Sequence, residues 1–135
     1  MKNFKIPMSN PNFGQEEKDA IIKVLDSGWP TEGKITKTFE ERLGNYLNTQ
    51  CVVVNNGSSA IMSSLIANGV KPGDKVVVPA FTYVATSSIP KILGAEIIVA
   101  DIDPKTFNIN LEILEKIVKE NKTSRILAPF RMSER

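Results

Sequence analysis

The sequence predicts an α/β fold in which helices cover a mostly parallel sheet. Short apolar runs typical of buried strands alternate along the chain with stretches whose apolar residues recur at helical spacing. This alternation is the pattern of βαβ units, whose strands run parallel and are covered on both faces. No internal repeat, low-complexity tract or linker divides the 135 residues, so a single domain over 1–135 is expected.

The first part of the chain is predicted to hold an irregular arm and two helices. Residues 1–14 contain prolines and asparagines without apolar periodicity, which favours an arm. Residues 15–25 place their apolar side chains on one helical face and carry glutamates in the first turn, where the helix dipole favours them. The segment 29–33 is predicted to be a loop. A Thr-Phe-Glu-Glu run then has the form of a capping box, so the second helix is expected to begin near Thr38.

Four strands are predicted where β-branched and aliphatic residues follow one another. The first is expected to be short and buried, and Pro79 is expected to end the second. Helices are predicted between the strands, and an Asn-Gly pair is expected to cap the first of these. The predicted strands are 51–54, 75–78, 95–100 and 125–129, and the predicted helices between them are 60–67, 84–93 and 111–120.

Composition and charge exclude several classes of function. A net charge of +2 is too small to indicate a nucleic-acid or anionic-membrane partner, and no apolar run approaches the length of a membrane-spanning helix. Cys51 is the single cysteine and the N-terminus lacks the apolar core of a signal peptide, so a cytoplasmic protein is expected. The absence of histidine removes Ser-His-Asp and Cys-His machinery and the commonest zinc ligand, and no metal site is predicted.

Three segments that follow predicted strands are candidates for a common site, because ligands of α/β sheets bind beyond the carboxyl ends of the strands. They are 55–59, 80–83 and 101–104. In the first, an Asn-Gly-Ser-Ser run precedes a helix, so backbone N–H groups and hydroxyls lie at the positive end of a helix dipole, which suits a phosphate. An N-capped helix without a ligand explains the same residues, and both interpretations stay open.

The order of these motifs resembles one family. NNGSSA, followed by GVKPGDKVVVPAFTYVATSSIPKILGAEIIVADIDPKTFNIN, is similar to the nucleotide-sugar aminotransferases of the DegT/StrS family, and the resemblance covers about residues 5–127. Members of this family are pyridoxal 5'-phosphate (PLP) enzymes of the aspartate-aminotransferase fold. The resemblance therefore implies the N-terminal part of the large domain of that fold. It also implies transfer of an amino group from glutamate to a keto nucleotide-sugar by a homodimer.

The resemblance assigns cofactor contacts to two segments. Gly57 and Ser58 match the pair whose backbone and hydroxyl hold the cofactor phosphate in the family. Asn56 lies at the rim of this turn, and Ser59 either contributes to it or only caps the helix. Tyr83 matches the aromatic residue that stacks on the pyridine ring, and a core tyrosine at the start of a helix is the structural alternative.

The resemblance also assigns residues to the substrate. Trp29, Thr31 and Gly33 match a loop that lies near the substrate in the family, often across a dimer interface. Simple packing of the tryptophan is the alternative. Asp101 and Asp103 could form a carboxylate pair for acid–base chemistry, but the end of a strand and a turn before a proline explain them better.

The sequence departs from the family in two places. No lysine matches the one that binds the cofactor covalently, so no catalytic residue is predicted and the chain is expected not to transaminate alone. Residues 130–135 show no helix or strand pattern and are read as an atypical tail. The alternative function is a non-catalytic module that binds PLP or another phosphate ligand, or an inactive remnant. Sugar dehydration is an alternative within the family.

Overall fold

The computed structural model describes residues 10–121 and 124–126. These residues divide into two compact units, with the boundary between Val53 and Val54. The elements in chain order are α1 (Gln15–Asp26), α2 (Lys34–Leu47), α3 (Gly57–Ala67), β1 (Lys75–Pro79), α4 (Ala85–Ile92), β2 (Glu96–Ala100), α5 (Leu111–Glu120) and β3 (Ser124–Ile126).

Parts of three predicted segments lie outside the described residues. They are 1–9 of the arm, 127–129 of the last strand and the whole tail, 130–135. A single domain over the whole chain stays a prediction. No helix in the described part of the chain is both long enough and apolar enough to cross a membrane.

The first unit contains α1 and α2, and the prediction of α1 and of the loop after it is confirmed. The Gly14 N–H donates to Glu17 Oε2 at 2.6 Å, which satisfies one of the backbone donors at the start of the helix. Gly28 follows the helix with a φ of +68°, the left-handed conformation that commonly closes a helix and that glycine adopts without strain.

The predicted start of α2 is wrong. The helix begins at Lys34, with Gly33 as its N-cap residue and the Lys37 N–H donating to Gly33 O at 3.1 Å. Thr38 therefore lies inside the helix, where its hydroxyl donates to Lys34 O at 3.0 Å. A Thr followed three residues later by Glu also fits a helix interior. Because 34–37 contains no helix breaker, the helix extends back to the glycine.

The predicted first strand, Cys51–Val54, is also wrong. These residues form no regular secondary structure, and Val52 is 82% exposed. β-Branched residues form a strand only when a neighbouring strand pairs with them, and no described strand does so here. The Val53 N–H instead donates to Glu40 Oε1 at 2.8 Å, which attaches this segment to α2.

The second unit contains a parallel sheet of three described strands in the order β2-β1-β3. β1 pairs with β2 along its whole length, from Lys75 opposite Glu96 to Pro79 opposite Ala100. It also pairs with β3, beginning with Lys75 opposite Ser124. Both crossovers contain a helix, α4 after β1 and α5 after β2. The parallel pairing and the helical crossovers confirm the predicted α/β class.

The core of this unit lies around β1 and between α3 and α4. Residues 76–78, all valine, are at most 1% exposed, so both faces of the central strand are covered. Burial of each valine side chain stabilises the fold by roughly 1.5–3 kcal/mol relative to exposure. Leu65 of α3 clusters with Ala85 and Ile89 of α4, which holds the two helices side by side.

Candidate functional site

Two helices of the second unit begin at the carboxyl edge of the sheet. α4 leads from the end of β1 to the start of β2, so it runs against the strands and begins at that edge. α3 packs beside α4. The two helices also end close together, because a Cβ atom on Gly94, after α4, would lie 2.9 Å from Cβ of Pro72, after α3. α3 and β1 are each about 16 Å long. The first turn of α3 therefore lies at the edge where α/β sheets bind ligands.

The start of α3 offers backbone donors for which none of the described residues supplies an acceptor. Asn56 is the N-cap residue: its Oδ1 accepts from the Ser59 N–H at 2.9 Å, and its carbonyl accepts from the Ala60 N–H at 3.1 Å. Gly57 and Ser58 open the helix, so their N–H groups have no intrahelical acceptor. Neither N–H donates to any other described residue. A Cβ atom on Gly57 would meet nothing within 4 Å, so the turn is open.

All four residues predicted to contact a phosphate are thus brought together in one turn. Asn56 and the Ser59 N–H form the helix cap, as expected if these residues were only an N-capped helix start. Gly57 and Ser58 keep their N–H groups available, and the hydroxyl-bearing residues Ser58 and Ser59 are only half-buried. The donors lie at the positive end of a helix of 11 residues, and this arrangement fits a phosphate group.

Tyr83 lies in the turn between β1 and α4, at the same edge of the sheet. Its side chain is 67% exposed, so it is not a core tyrosine among the described residues. The Thr86 N–H donates to Tyr83 O at 2.9 Å, which fixes the backbone of the turn. An exposed ring in this position can stack on a flat heterocycle.

Sequence reasoning missed two contacts around this turn. Thr86 is fully buried, and its Oγ1 lies 2.9 Å from Thr82 Oγ1. The rings of Phe81 and Phe107 pack with their centroids 5.7 Å apart and their planes at 52°. Two threonines four apart at the start of a helix could have signalled the first contact. No local pattern signals the second, because the two phenylalanines are brought together by the sheet.

The two carboxylates after β2 hold the turn that follows them. Asp103 Oδ1 accepts from the Thr106 N–H at 2.9 Å and from the Lys105 N–H at 2.8 Å. These bonds, that from Thr106 first, hold the pKa of Asp103 below its ordinary value. Asp101 Oδ1 accepts from the Ile102 N–H at 2.8 Å. The structural interpretation of both aspartates is therefore confirmed.

The stability of this turn is expected to depend on pH through Asp103. Because its pKa is lower in the folded protein, the ionised carboxylate stabilises the fold above the unfolded pKa, about 4. This stabilisation is lost as pH falls through the lower folded pKa. The control variant is Asp103→Asn, whose amide oxygen still accepts hydrogen bonds but does not titrate. Urea unfolding should show a constant difference in unfolding free energy above about pH 5 that shrinks below about pH 4. A difference independent of pH would contradict this account.

The residues predicted to contact the substrate lie in the first unit, in the loop between α1 and α2. The Trp29 Nε1–H donates to Glu32 O at 2.9 Å, and a Cβ atom on Gly33 would lie 3.1 Å from Trp29 Cδ1. The indole therefore folds over Gly33 and closes the loop. It is nevertheless 65% exposed, and Thr31 is exposed beside it, so both retain surface for a ligand.

The chain is similar in sequence to sugar aminotransferases. The sequence profile of the DegT/DnrJ/EryC1/StrS aminotransferase family matches residues 11–129. The chain is 31% identical over 116 residues to the GDP-perosamine synthase of Caulobacter vibrioides, covering 84% of this chain and 31% of that protein. It is 37% identical over 99 residues to the UDP-2-acetamido-2-deoxy-3-oxo-D-glucuronate aminotransferase of Pseudomonas aeruginosa, covering 73% and 28%.

Solved structures agree with the sequence comparison. The sugar aminotransferase Spr1654 of Streptococcus pneumoniae in its PLP form matches with a TM-score of 0.82 and 34% identity, over 91% of this chain and 31% of that chain. The match confirms the expected aspartate-aminotransferase fold, and the matched structure is a PLP form of that protein. The chain spans about a third of the length of the relatives that it matches.

Proposed function

Because the chain belongs to the DegT/DnrJ/EryC1/StrS aminotransferase family, we propose that it forms the phosphate- and ring-binding surface of a PLP-dependent nucleotide-sugar aminotransferase. The observation that carries this proposal is the open first turn of α3. There the N–H groups of Gly57 and Ser58 have no acceptor among the described residues and lie at the positive end of the helix.

Each residue of the turn has a distinct part in this proposal. Gly57 and Ser58 donate their N–H groups to the cofactor phosphate, and the Ser58 hydroxyl adds a further donor. Asn56 keeps the Ser59 N–H occupied, which fixes the turn before the cofactor arrives. Tyr83 presents its exposed ring to the pyridine ring. The bound cofactor supplies an electron sink for bond breaking at the amino-bearing carbon.

Family membership supports the remaining parts of the proposal. The two relatives named above carry GDP- and UDP-linked sugars in their names, which supports a keto nucleotide-sugar as the acceptor. Glutamate as the amino donor rests on the family resemblance alone. Trp29, Thr31 and Gly33 form part of the wall that meets this substrate. The lysine that binds the cofactor covalently is supplied outside these residues. A homogeneous preparation of the chain alone is therefore expected to show no transamination.

We also assign a homodimer and a cytoplasmic location to the active protein. Helices α1 and α2 have large apolar side chains that are more than half exposed, as expected of surfaces that a second copy covers. They include Ile21, Ile22, Leu25, Phe39 and Tyr46. The single cysteine fits a reducing compartment.

The proposal is tested by binding of pyridoxamine 5'-phosphate, which carries the ring and the phosphate but no aldehyde. It therefore cannot react with surface lysines, as PLP itself would. Equilibrium dialysis should show saturable binding of this compound and much weaker binding of pyridoxamine, which lacks the phosphate. Tyr83→Ala should weaken binding about two- to tenfold, whereas Tyr83→Phe should retain it, because only stacking is required.

The outcomes separate a chain that binds the cofactor from one that does not. Saturable binding without transamination supports the proposed phosphate- and ring-binding surface. The same result is expected of a non-catalytic binding module. Equal retention of pyridoxamine and its phosphate would overturn the role of the α3 turn. Aggregation without binding would identify an inactive remnant.

A further inference from the structure

One buried residue, Thr86, forms hydrogen bonds with two residues of the turn that carries Tyr83. Thr86 is the only polar or charged residue that is buried among the described ones, and it is 0% exposed. Its backbone N–H donates to Tyr83 O at 2.9 Å. Its side-chain Oγ1 lies within hydrogen-bond distance, 2.9 Å, of Thr82 Oγ1. Thr86 therefore contacts the residue before Tyr83 by its side chain and Tyr83 itself by its backbone.

Tyr83 has little else in the described chain to hold it. Its side chain is 67% exposed and makes no side-chain hydrogen bond with a described residue. Val84, which follows it, is also 67% exposed. An exposed ring on a loop contributes to binding only if the backbone that carries it is already ordered, because ordering on binding would reduce the affinity. Ser87 and Ser88 donate their N–H groups to Val84 O, which orders the chain after Tyr83, whereas Thr86 bonds to Thr82 and to Tyr83 themselves.

Packing alone does not explain a threonine at position 86. The other buried residues of α4 are Ala85, Ile89 and Pro90, all apolar, and the first two pack with Leu65 in an apolar cluster. Valine is close to threonine in size and would occupy the same place without a polar atom to bury. A hydroxyl in this position therefore has its value in the bond to Thr82.

We propose that Thr86 is a positioning residue for the cofactor: its hydroxyl, bonded to Thr82, sets the turn so that Tyr83 presents its ring to the pyridine ring. The proposal rests on the proposed function, and it concerns how the ring contact is made rather than whether the phosphate binds. Thr86 itself touches no ligand in this scheme, since it is fully buried.

Two substitutions of Thr86 separate positioning from packing. Thr86→Val keeps a side chain of similar size and removes the hydroxyl, so unfolding by urea should show at most a small loss of stability, because the half-exposed Thr82 hydroxyl can bond to water instead. Its affinity for pyridoxamine 5'-phosphate should fall. The loss should not exceed that of Tyr83→Ala, about two- to tenfold, which removes the stacking contact altogether. Thr86→Ser keeps the hydroxyl and removes a buried methyl group, so stability should fall while affinity is retained. A purely structural role predicts that affinity follows stability in both variants.

A double substitution then tests whether Thr86 acts through Tyr83. If it does, Thr86→Val should have no further effect on affinity once Tyr83→Ala is present. Equal loss of affinity in both backgrounds, or no loss in Thr86→Val alone, would overturn the inference. Failure of the wild-type chain to bind pyridoxamine 5'-phosphate would instead overturn the proposed function. Binding that depends on Tyr83 but not on Thr86 leaves the proposed function standing and removes this inference alone.

Discussion

Replacement of Gly94 by alanine is expected to destabilise the second unit by about 2–4 kcal/mol. Gly94 has a φ of +81°, where an L-residue pays a steric cost of about 1–2 kcal/mol. The added Cβ would also lie 2.9 Å from Pro72 Cβ and 3.1 Å from Pro72 Cα. Because one of these atoms belongs to the backbone, a side-chain rotation cannot relieve the contact. The connection after α3 and the end of α4 would have to move apart.

Gly73→Ala is a matched control for this effect. Gly73 has a φ of +87°, but a Cβ atom there would meet nothing within 4 Å. It therefore carries the cost of the left-handed backbone without the collision, and a loss of about 1–2 kcal/mol is expected. Urea unfolding followed by far-ultraviolet circular dichroism measures both variants. Equal losses in the two variants would show that the contact between Gly94 and Pro72 contributes nothing.

The same contact explains how the sequence could and could not predict the fold. A Pro-Gly pair and a glycine after a helical stretch are typical of breaks in regular structure, and the structure has breaks at Pro72-Gly73 and at Gly94. That the two breaks touch is a tertiary property that neither local pattern contains. Helices α1 and α5 were predicted within a residue because their apolar periodicity and their caps agree.

The two wrong predictions have one physical cause, since each took a local pattern as sufficient. Thr38 opens a run with the form of a capping box, but the helix begins after Gly33, which is its N-cap residue. Cys51–Val54 has strand propensity, but a strand also needs a neighbour, and no described strand supplies one. The helix after the 55–59 segment was predicted from residue 60, whereas it begins three residues earlier at Gly57, because the Asn56 side chain caps it there.

The candidate site was predictable where it rests on helix termini and less so where it rests on packing. The unpaired N–H groups of Gly57 and Ser58 follow from the position of the cap, which Asn56 marks in the sequence. The exposure of Tyr83 and the burial of Thr86 depend on which face of α4 meets α3. A helix of eight residues has too few apolar positions for the sequence to fix that face.

Ser58→Asp is expected to weaken binding of pyridoxamine 5'-phosphate by at least about tenfold. The substitution places a negative charge at the N–H groups that are proposed to hold the phosphate, so the ligand meets repulsion where it would meet donors. The same charge interacts favourably with the start of α3 and should stabilise the folded chain by about 0.3–1 kcal/mol. Loss of affinity together with gain of stability cannot come from misfolding.

Ser63→Asp supplies the comparison on the same helix. Ser63 is exposed in the middle of α3, so the change adds the same charge away from the proposed phosphate turn. Its affinity should equal that of the wild-type chain, while its stability should fall slightly, because aspartate is a poor residue for a helix interior. The affinity of Ser58→Ala should lie between those of Ser58→Asp and Ser63→Asp, because this substitution removes the hydroxyl but leaves both backbone donors. If Ser58→Asp and Ser63→Asp bind equally well, the phosphate lies elsewhere and the first turn of α3 is only a capped helix end.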